Sequence, residues 1–515
     1  MFYKLAGFLA LIWIVRRVFK RRLPLLSPPD STILWGHEKQ AFDEPAGSWY
    51  GKWFSVFGPA FKIDGALGFG EILVIADPAA LAHIYVKRPY DYSKSHYFRP
   101  LIDRLLGKSL VWVEGAEEHS KMRRMLNPIF SADSIKQYRN DVVESTHRLQ
   151  QKLSEHIQAN DRSTTINVLD WTWRVTLDII GRVGFNHDFG CGESPEAKAI
   201  AKAWKEQISL GMDIAGLIAP SVFRAFPFIT DLPVEAIQKQ GEIKTIVRQL
   251  GNRLIERDGD GVQGKDLLSV LIKENKANGY GETSEQLLDH IVTFVMVGHE
   301  TVAGALNYTL WELAKNPAVQ DKLRQEVLAF SGEPTYDDLN GPNLPYLDAV
   351  LKEVLRLHPP SAHTEKVADH DDVIPLKLPV RGSDGGWINE IPIKAGQLIF
   401  VPSIAVNRLQ SVWGDGDAFR PDRWIVPDGL PPTGSLNLGW SHTFSFSQGP
   451  RNCIGFRMAI YEWKVIVMTL LRQFVFHDTG AKIQSKFSAT LQPRVIGREK
   501  EGCMLPVRVT LLHDE

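Results

Sequence analysis

The chain reads as mainly α-helical with small β-sheets, one large domain with its sheets to one side. Three observations predict this. From about Ser31 onward most segments repeat apolar residues at helical spacing and are punctuated by Pro or Gly. Two short β-rich runs, Phe61–Ala66 and Ile72–Ala76, flank a glycine-containing turn and read as a hairpin. No linker is long enough to divide the chain, since Asp258–Gly264 and Asp428–Gly434 are short, loop-like stretches. A length of 515 residues would allow roughly three average domains, but no internal repeat or boundary marks them. Hydrophobic residues make up 44% and charged residues 23%, enough for a sizeable core. A net charge of −1 gives no reason to expect nucleic acid as a partner. The three cysteines, Cys191, Cys453 and Cys503, are too few and too scattered for a disulfide scaffold or a Cys-rich zinc site.

In chain order, Leu5–Val15 is an unbroken apolar run, and Arg16–Arg22 follows with five positive charges and no negative one. Charges after the apolar core are the reverse of a cleaved signal peptide. They predict a single-pass anchor over residues 1–22, with everything after it on the cytosolic side. The run only just reaches the lower limit of about 17 residues for a spanning helix, so an interfacial helix is the alternative. Pro24, Pro28 and Pro29 make 23–30 a proline-rich linker, and 31–515 is the one large domain. His119 and Arg123 stand one turn apart on a helix. Thr283 and Gln286 have capping-box spacing and open a helix of about 32 residues, roughly 48 Å long, which Pro317 stops. Its apolar middle, Ile291–Val297, is interrupted by Gly298-His299-Glu300-Thr301, and a buried acid needs a partner or a task. Glu353 and Arg356 share a helix face ahead of Pro359-Pro360.

The most informative segment is Phe446-Ser447-Gln448-Gly449-Pro450-Arg451-Asn452-Cys453-Ile454-Gly455. It sets Cys453 ahead of an amphipathic stretch, Phe456 to about Phe474, where a helix N-terminus favours the thiolate. Gly449 and Gly455 allow close backbone approach to a flat partner, and Arg451 can pair with a carboxylate of it. A proximal cysteine on haem iron needs these features.

This loop resembles the haem-binding loop of the cytochrome P-450 superfamily, the haem-thiolate monooxygenases, at every position of Phe-x-x-Gly-x-Arg-x-Cys-x-Gly. Gly298, Glu300 and Thr301 are similar to that family's oxygen-activation motif, while Val297 and Val302 depart from it at the flanks. Phe419-Arg420-Pro421-Asp422-Arg423-Trp424 resembles its Phe-x-Pro-x-Arg signature, and His119–Arg123 its propionate-binding helix. The resemblance spans the chain and implies the cytochrome P-450 fold around haem b, with Cys453 as axial ligand and metal ligand. It implies that His119, Arg123, Arg451, Lys366, Phe446, Gly449, Gly455 and Gly298 contact the cofactor, with Lys366 standing where the family usually has arginine. It assigns Glu300 and Thr301 to proton delivery, and Glu353, Arg356 and Arg423 to a structural ion network.

The implied reaction inserts one atom of O2 into a lipophilic small molecule, such as a terpenoid, sterol, fatty acid or aromatic metabolite of secondary metabolism. Electrons would come from an NADPH-dependent cytochrome P-450 reductase on the same endoplasmic reticulum membrane, docking on Lys121, Arg124, Arg457 and Lys464. The apolar region Ile208–Ile229 would line an entrance or touch membrane lipid. The alternatives are a haem-thiolate isomerase or dehydratase working without a reductase, and a non-enzymatic haem-binding protein.

Overall fold

Helix accounts for 55% of the structure, a computed structural model describing residues 22–226, 229–230, 241–258, 266–432, 434–435 and 438–512. The run Leu5–Val15, its basic flank up to residue 21 and residues 259–265 lie outside the described residues. The helices that frame the site are α1 (Ala116–Leu126), α2 (Leu169–Phe185), α3 (Pro195–Met212), α4 (Ile214–Ala225), α5 (Ser284–Lys315), α6 (Pro345–Leu357) and α7 (Phe456–Leu471).

Helix α5 begins where the sequence places it. The Thr283 hydroxyl accepts from the Gln286 N–H at 3.3 Å, and the Gln286 side chain accepts from the Thr283 N–H at 2.9 Å. It runs 32 residues to Lys315, and Pro317 opens the next helix. Its tightest neighbour is α2, because Gly298 lacks a Cβ that would stand 3.1 Å from Ile180 Cδ1. Gly298 thus sits at a helix–helix contact, which explains the glycine without a cofactor.

The predicted hairpin is β1 (Ala60–Asp64) and β2 (Glu71–Ile75), antiparallel with Phe61 opposite Val74. It extends into a five-stranded sheet ordered β1-β2-β8-β5-β3, where β3 is Tyr92–Ser93, β5 is Thr364–Ala368 and β8 is Leu398–Val401. The three-stranded sheet β4-β12-β9 joins Ser163–Asn167, Pro506–Leu511 and Phe474–Asp478. Two hairpins complete the β-structure among the described residues: β6 (Asp372–Arg381) with β7 (Trp387–Ile393), and β10 (Ile483–Phe487) with β11 (Leu491–Val495). The larger core lies among the helices, and a second fills the space against the five-stranded sheet.

Three local expectations need correction. The segment after residue 22 is packed, not a free spacer. Leu25 is fully buried and bridges to Gly382, because apolar Leu23 and Leu25 alternate with proline on the sheet's margin. Helix α7 is buried on almost every side from Ile460 to Leu471, including Glu462 and Lys464, so it is a core helix more than an amphipathic one. The region Ile208–Ile229 is not one run but a corner, α3 and α4 bent by 77°. Leu217 and Phe223 are buried there, whereas Leu210, Ile214 and Ile218 are exposed. Among the described residues no single helix is long and apolar enough to cross a membrane; this bent pair reaches the length and composition only together.

Candidate active site

The loop ahead of α7 is pinned from behind. Gly449 has φ +71, and a Cβ there would lie 1.9 Å from the Tyr85 carbonyl oxygen. The close approach that requires this glycine is therefore to the chain itself. Gly455 has φ −89 and only the Phe130 ring, 3.6 Å from a would-be Cβ, so no crowding by the protein demands glycine there. The Cys453 N–H donates to the Phe446 carbonyl at 2.9 Å, while the Phe446 ring packs edge-on to Trp440 with centroids 5.3 Å apart.

Cys453 is exposed, yet burial raises its thiol pKa, so it fronts an interior space and not the outer surface. The Gly455 N–H and the charge of Arg123 pull the other way without overcoming desolvation. The helix terminus alone does not make this thiol a thiolate; a cationic metal at the sulfur reverses that balance.

Cations gather beside the loop. Arg123, from α1, donates to the Asn452 carbonyl at 2.6 Å and to its side-chain oxygen at 2.7 Å. Arg451 donates to the Val113 carbonyl at 2.9 Å and pairs with Glu114 at 3.1 Å, while its Nε is buried with no hydrogen-bond partner among the described residues. Lys94 pairs with the same carboxylate at 3.0 Å. Lys366, buried on β5, donates to the Tyr92 carbonyl at 3.2 Å. His119 Nδ1 lies 3.0 Å from the Tyr90 hydroxyl, and Arg451 covers the Tyr90 ring at 5.1 Å.

Four of the predicted residues, His119, Arg123, Arg451 and Lys366, thus belong to one group, joined by Lys94, Tyr90 and Glu114, which the sequence did not single out. Tyr90 stands just before β3, and Lys94 and Glu114 come from between β3 and α1; they carry no local pattern, and only the fold brings them in.

Electrostatics shows what the group lacks. Burial pushes Lys366 down to about 7, with the charges of Lys94 and Arg451 adding to it. Burial pushes His119 down to about 4, reinforced by Arg451, Arg123 and Lys94. Lys94, Arg123 and Arg451 are lowered as well, each chiefly by burial. Burial raises Glu114, but the Lys94 and Arg451 charges win and hold it low. Lys94 and Arg451 pair with Glu114, whose charge also reaches Lys366, and Asp369 acts on Lys366 by charge alone. Excess buried charge of one sign is costly unless an anion meets it. A ligand carrying two carboxylates beside an interior cysteine fits this cradle, and haem b is such a ligand.

On α5, Val297 is 38% exposed and Thr301 is partly exposed, in the otherwise largely buried middle of the helix. One turn apart, they share a face on an interior space, and the Thr301 hydroxyl donates to the Val297 carbonyl at 2.8 Å. Glu300 points elsewhere. It accepts from Trp204 Nε1 at 2.6 Å, the Thr490 hydroxyl at 2.9 Å and Gln492 Nε2 at 2.7 Å.

The third group is complete in itself. The Glu353 carboxylate accepts from Arg356 Nε at 2.9 Å and Nη2 at 2.8 Å, and from Arg423 Nε at 3.0 Å. The Arg420 N–H and Trp424 Nε1 add bonds of 2.9 Å each. Arg356 also donates to the Gly416 and Ala418 carbonyls, at 2.5 and 2.9 Å, and Arg423 to Asp415 at 2.8 Å. Of the expected docking cations, Lys121, Arg124 and Arg457 are exposed. Lys464 is buried, bonded to the Leu339 carbonyl at 2.7 Å and Asp348 at 2.9 Å, and is a structural cation.

A single interior cysteine next to a cradle for carboxylates is the donor set of a haem-thiolate protein. The Cytochrome P450 family model matches residues 26–499, and the chain belongs to that family. Cytochrome P450 monooxygenase claO of Ampulloclitocybe clavipes is 32% identical, over 98% of each chain. Cytochrome P450 monooxygenase claP of the same organism is 31% identical over 98% of this chain and 97% of its own. Cytochrome P450 monooxygenase 205 of Postia placenta is 31% identical over 96% of this chain and 93% of its own. The protein is accordingly a haem-dependent monooxygenase of eukaryotic type, with haem b on a cysteine thiolate as cofactor, using O2, a redox partner and lipophilic substrates.

Proposed function

We propose that Cys453 is the axial thiolate and that His119, Arg123, Arg451 and Lys366 take the cofactor's carboxylates, with Lys94 as a further cation. The observation that carries this is the excess of buried positive charge beside the one interior-facing cysteine of the Cys453 loop. The haem, when bound there, supplies dioxygen activation, which an electron-rich thiolate favours.

This chain's residues then orient and protect. The Thr301 hydroxyl, on the interior face of α5, holds a proton within reach of that space, and Glu300 behind it is the reserve acid. Val297 narrows the same face. The Glu353–Arg356–Arg423 network ties α6 to the segment from Asp415 to Trp424 and takes no part in proton transfer.

The substrate is a lipophilic small molecule of secondary, terpenoid or lipid metabolism, a reading supported by the fungal relatives and the apolar α3–α4 corner. The electron donor is an NADPH-dependent cytochrome P-450 reductase docking near Lys121, Arg124 and Arg457. The run Leu5–Val15 tethers the chain to the endoplasmic reticulum membrane, with the catalytic domain 31–515 in the cytosol. Cys453→Ser tests the core of this reading. The reduced wild-type protein should show the carbon monoxide difference band of a thiolate-ligated haem, and the variant should lose it. Survival of that band in Cys453→Ser would reject Cys453 as ligand.

A further inference from the structure

We infer that Trp204 on α3 is a positioning residue for Glu300: its indole N–H, with Thr490 and Gln492 at the β10–β11 hairpin, fixes the carboxyl on the α3 side of α5, off the face that carries Val297 and Thr301. The inference rests on the reading of Glu300 as the reserve acid of the proton path.

The geometry leaves the carboxyl little freedom. Oε2 receives Trp204 Nε1 at 2.6 Å, and Oε1 receives both Thr490 and Gln492, which are themselves bonded at 2.6 Å. His299 adds no donor. Its Nδ1 sits 2.6 Å from the Val295 carbonyl, which can only accept, so Nδ1 carries the proton and Nε2 is bare. That Nε2 lies 3.9 Å from Glu300 Oε2, outside hydrogen-bond range. On this oxygen the indole is therefore the donor that decides direction.

The other groups facing the acid are uncharged. Burial pushes His299 down to about 4, and it pushes the Cys503 thiol up to about 12, with the Glu300 charge adding. Burial also lifts Glu300 to about 7, against the pull of its three donors. A carboxyl so balanced responds to the loss of any one donor.

A consequence concerns α3. The same helix is tied to the hairpin by the Ser488 hydroxyl, which donates to the Ile208 carbonyl at 3.2 Å, and it continues into the exposed apolar corner of α4. A displacement of α3 that takes the indole away would therefore leave Oε2 without its donor, with Thr490 and Gln492 still holding Oε1.

The test is infrared titration of the intact ferric haem protein, without substrate, over the neutral range. The carboxyl band that disappears in Glu300→Gln identifies the residue. In Trp204→Phe that band should move to higher frequency, and its midpoint should rise by about one pH unit, a tenfold change, because a donor to the ionised form is gone. An unchanged band and midpoint in Trp204→Phe overturn the inference, as does a wild-type protein with no Glu300-dependent band. Thr490→Val, acting on the other oxygen, reads the same quantity if Trp204→Phe does not accumulate. The carbon monoxide band of each variant is recorded alongside. Its loss in the wild type would reject the haem-thiolate reading itself, a different failure from an unmoved titration.

Discussion

Around Glu353 the chain supplies every partner, whereas around Lys366 it supplies an excess of one sign. The carboxylate of Glu353 accepts five hydrogen bonds from Arg356, Arg423, Arg420 and Trp424, and both arginines spend their remaining donors on carbonyls or Asp415. The cations near Cys453 have Glu114 between them and an Arg451 Nε with nothing to bond. Glu353, Arg356 and Arg423 are fully buried; in the second cluster Lys366 and His119 are buried, while Lys94, Glu114, Arg123 and Arg451 are partly so. A closed network belongs to the scaffold, and an open one marks where a charged ligand completes the protein.

The largest expected effect attacks the closed network. Glu353→Gln keeps the shape but leaves Arg356 and Arg423 buried without their counter-charge, which should cost about 3–5 kcal/mol and yield protein depleted of haem. Urea unfolding and haem content measure it; an unchanged midpoint with full haem would mean the network is dispensable.

Glu300 is an intermediate case, a buried acid with donors but no cation. Its folded pKa, about 7, lies above its ordinary value of 4.5, so the folded state binds the extra proton between those limits and stability falls as pH rises through that window. Glu300→Gln removes this loss. Relative to wild type it should gain about 3 kcal/mol between about pH 4 and about pH 8, read as the difference of unfolding midpoints at the two pH values. A pH-independent difference would place the acid in an environment less buried than described.

The smallest effect probes the open cluster. Lys366→Met removes one surplus charge, so folding should change little while haem leaves about tenfold faster, followed as haem transfer to an acceptor protein. Faster unfolding without faster haem loss would assign Lys366 to the scaffold.

These differences also explain what the sequence made legible. The capping box at Thr283 is encoded within four residues, so spacing alone reveals it, whereas the Glu353–Arg356 pair and the cysteine loop, equally local, gain their meaning only from the resemblance to a family pattern. Lys94 and Glu114 join the cluster because β3 and the approach to α1 fold onto the loop, and Trp204 meets Glu300 across 96 positions of sequence. No local pattern carries such pairings. Lys464 misled for the same reason: a lysine midway along a helix looks solvated until Asp348 and the Leu339 carbonyl are found against it. The upward shift of the Cys453 thiol shows the limit of arguing from a helix end alone, since desolvation is set by everything around it.

The contact between Gly449 and the Tyr85 carbonyl has a bearing on how this chain can change over time. It is a contact of main chain with main chain, so its shape is the same whatever side chain stands at residue 85. Substitutions that retune the entrance or the face of α5 therefore leave the height of the Cys453 loop where it was. Diversification of substrate and conservation of sulfur placement are mechanically separate in this molecule, because the part that must not drift is registered against a peptide group.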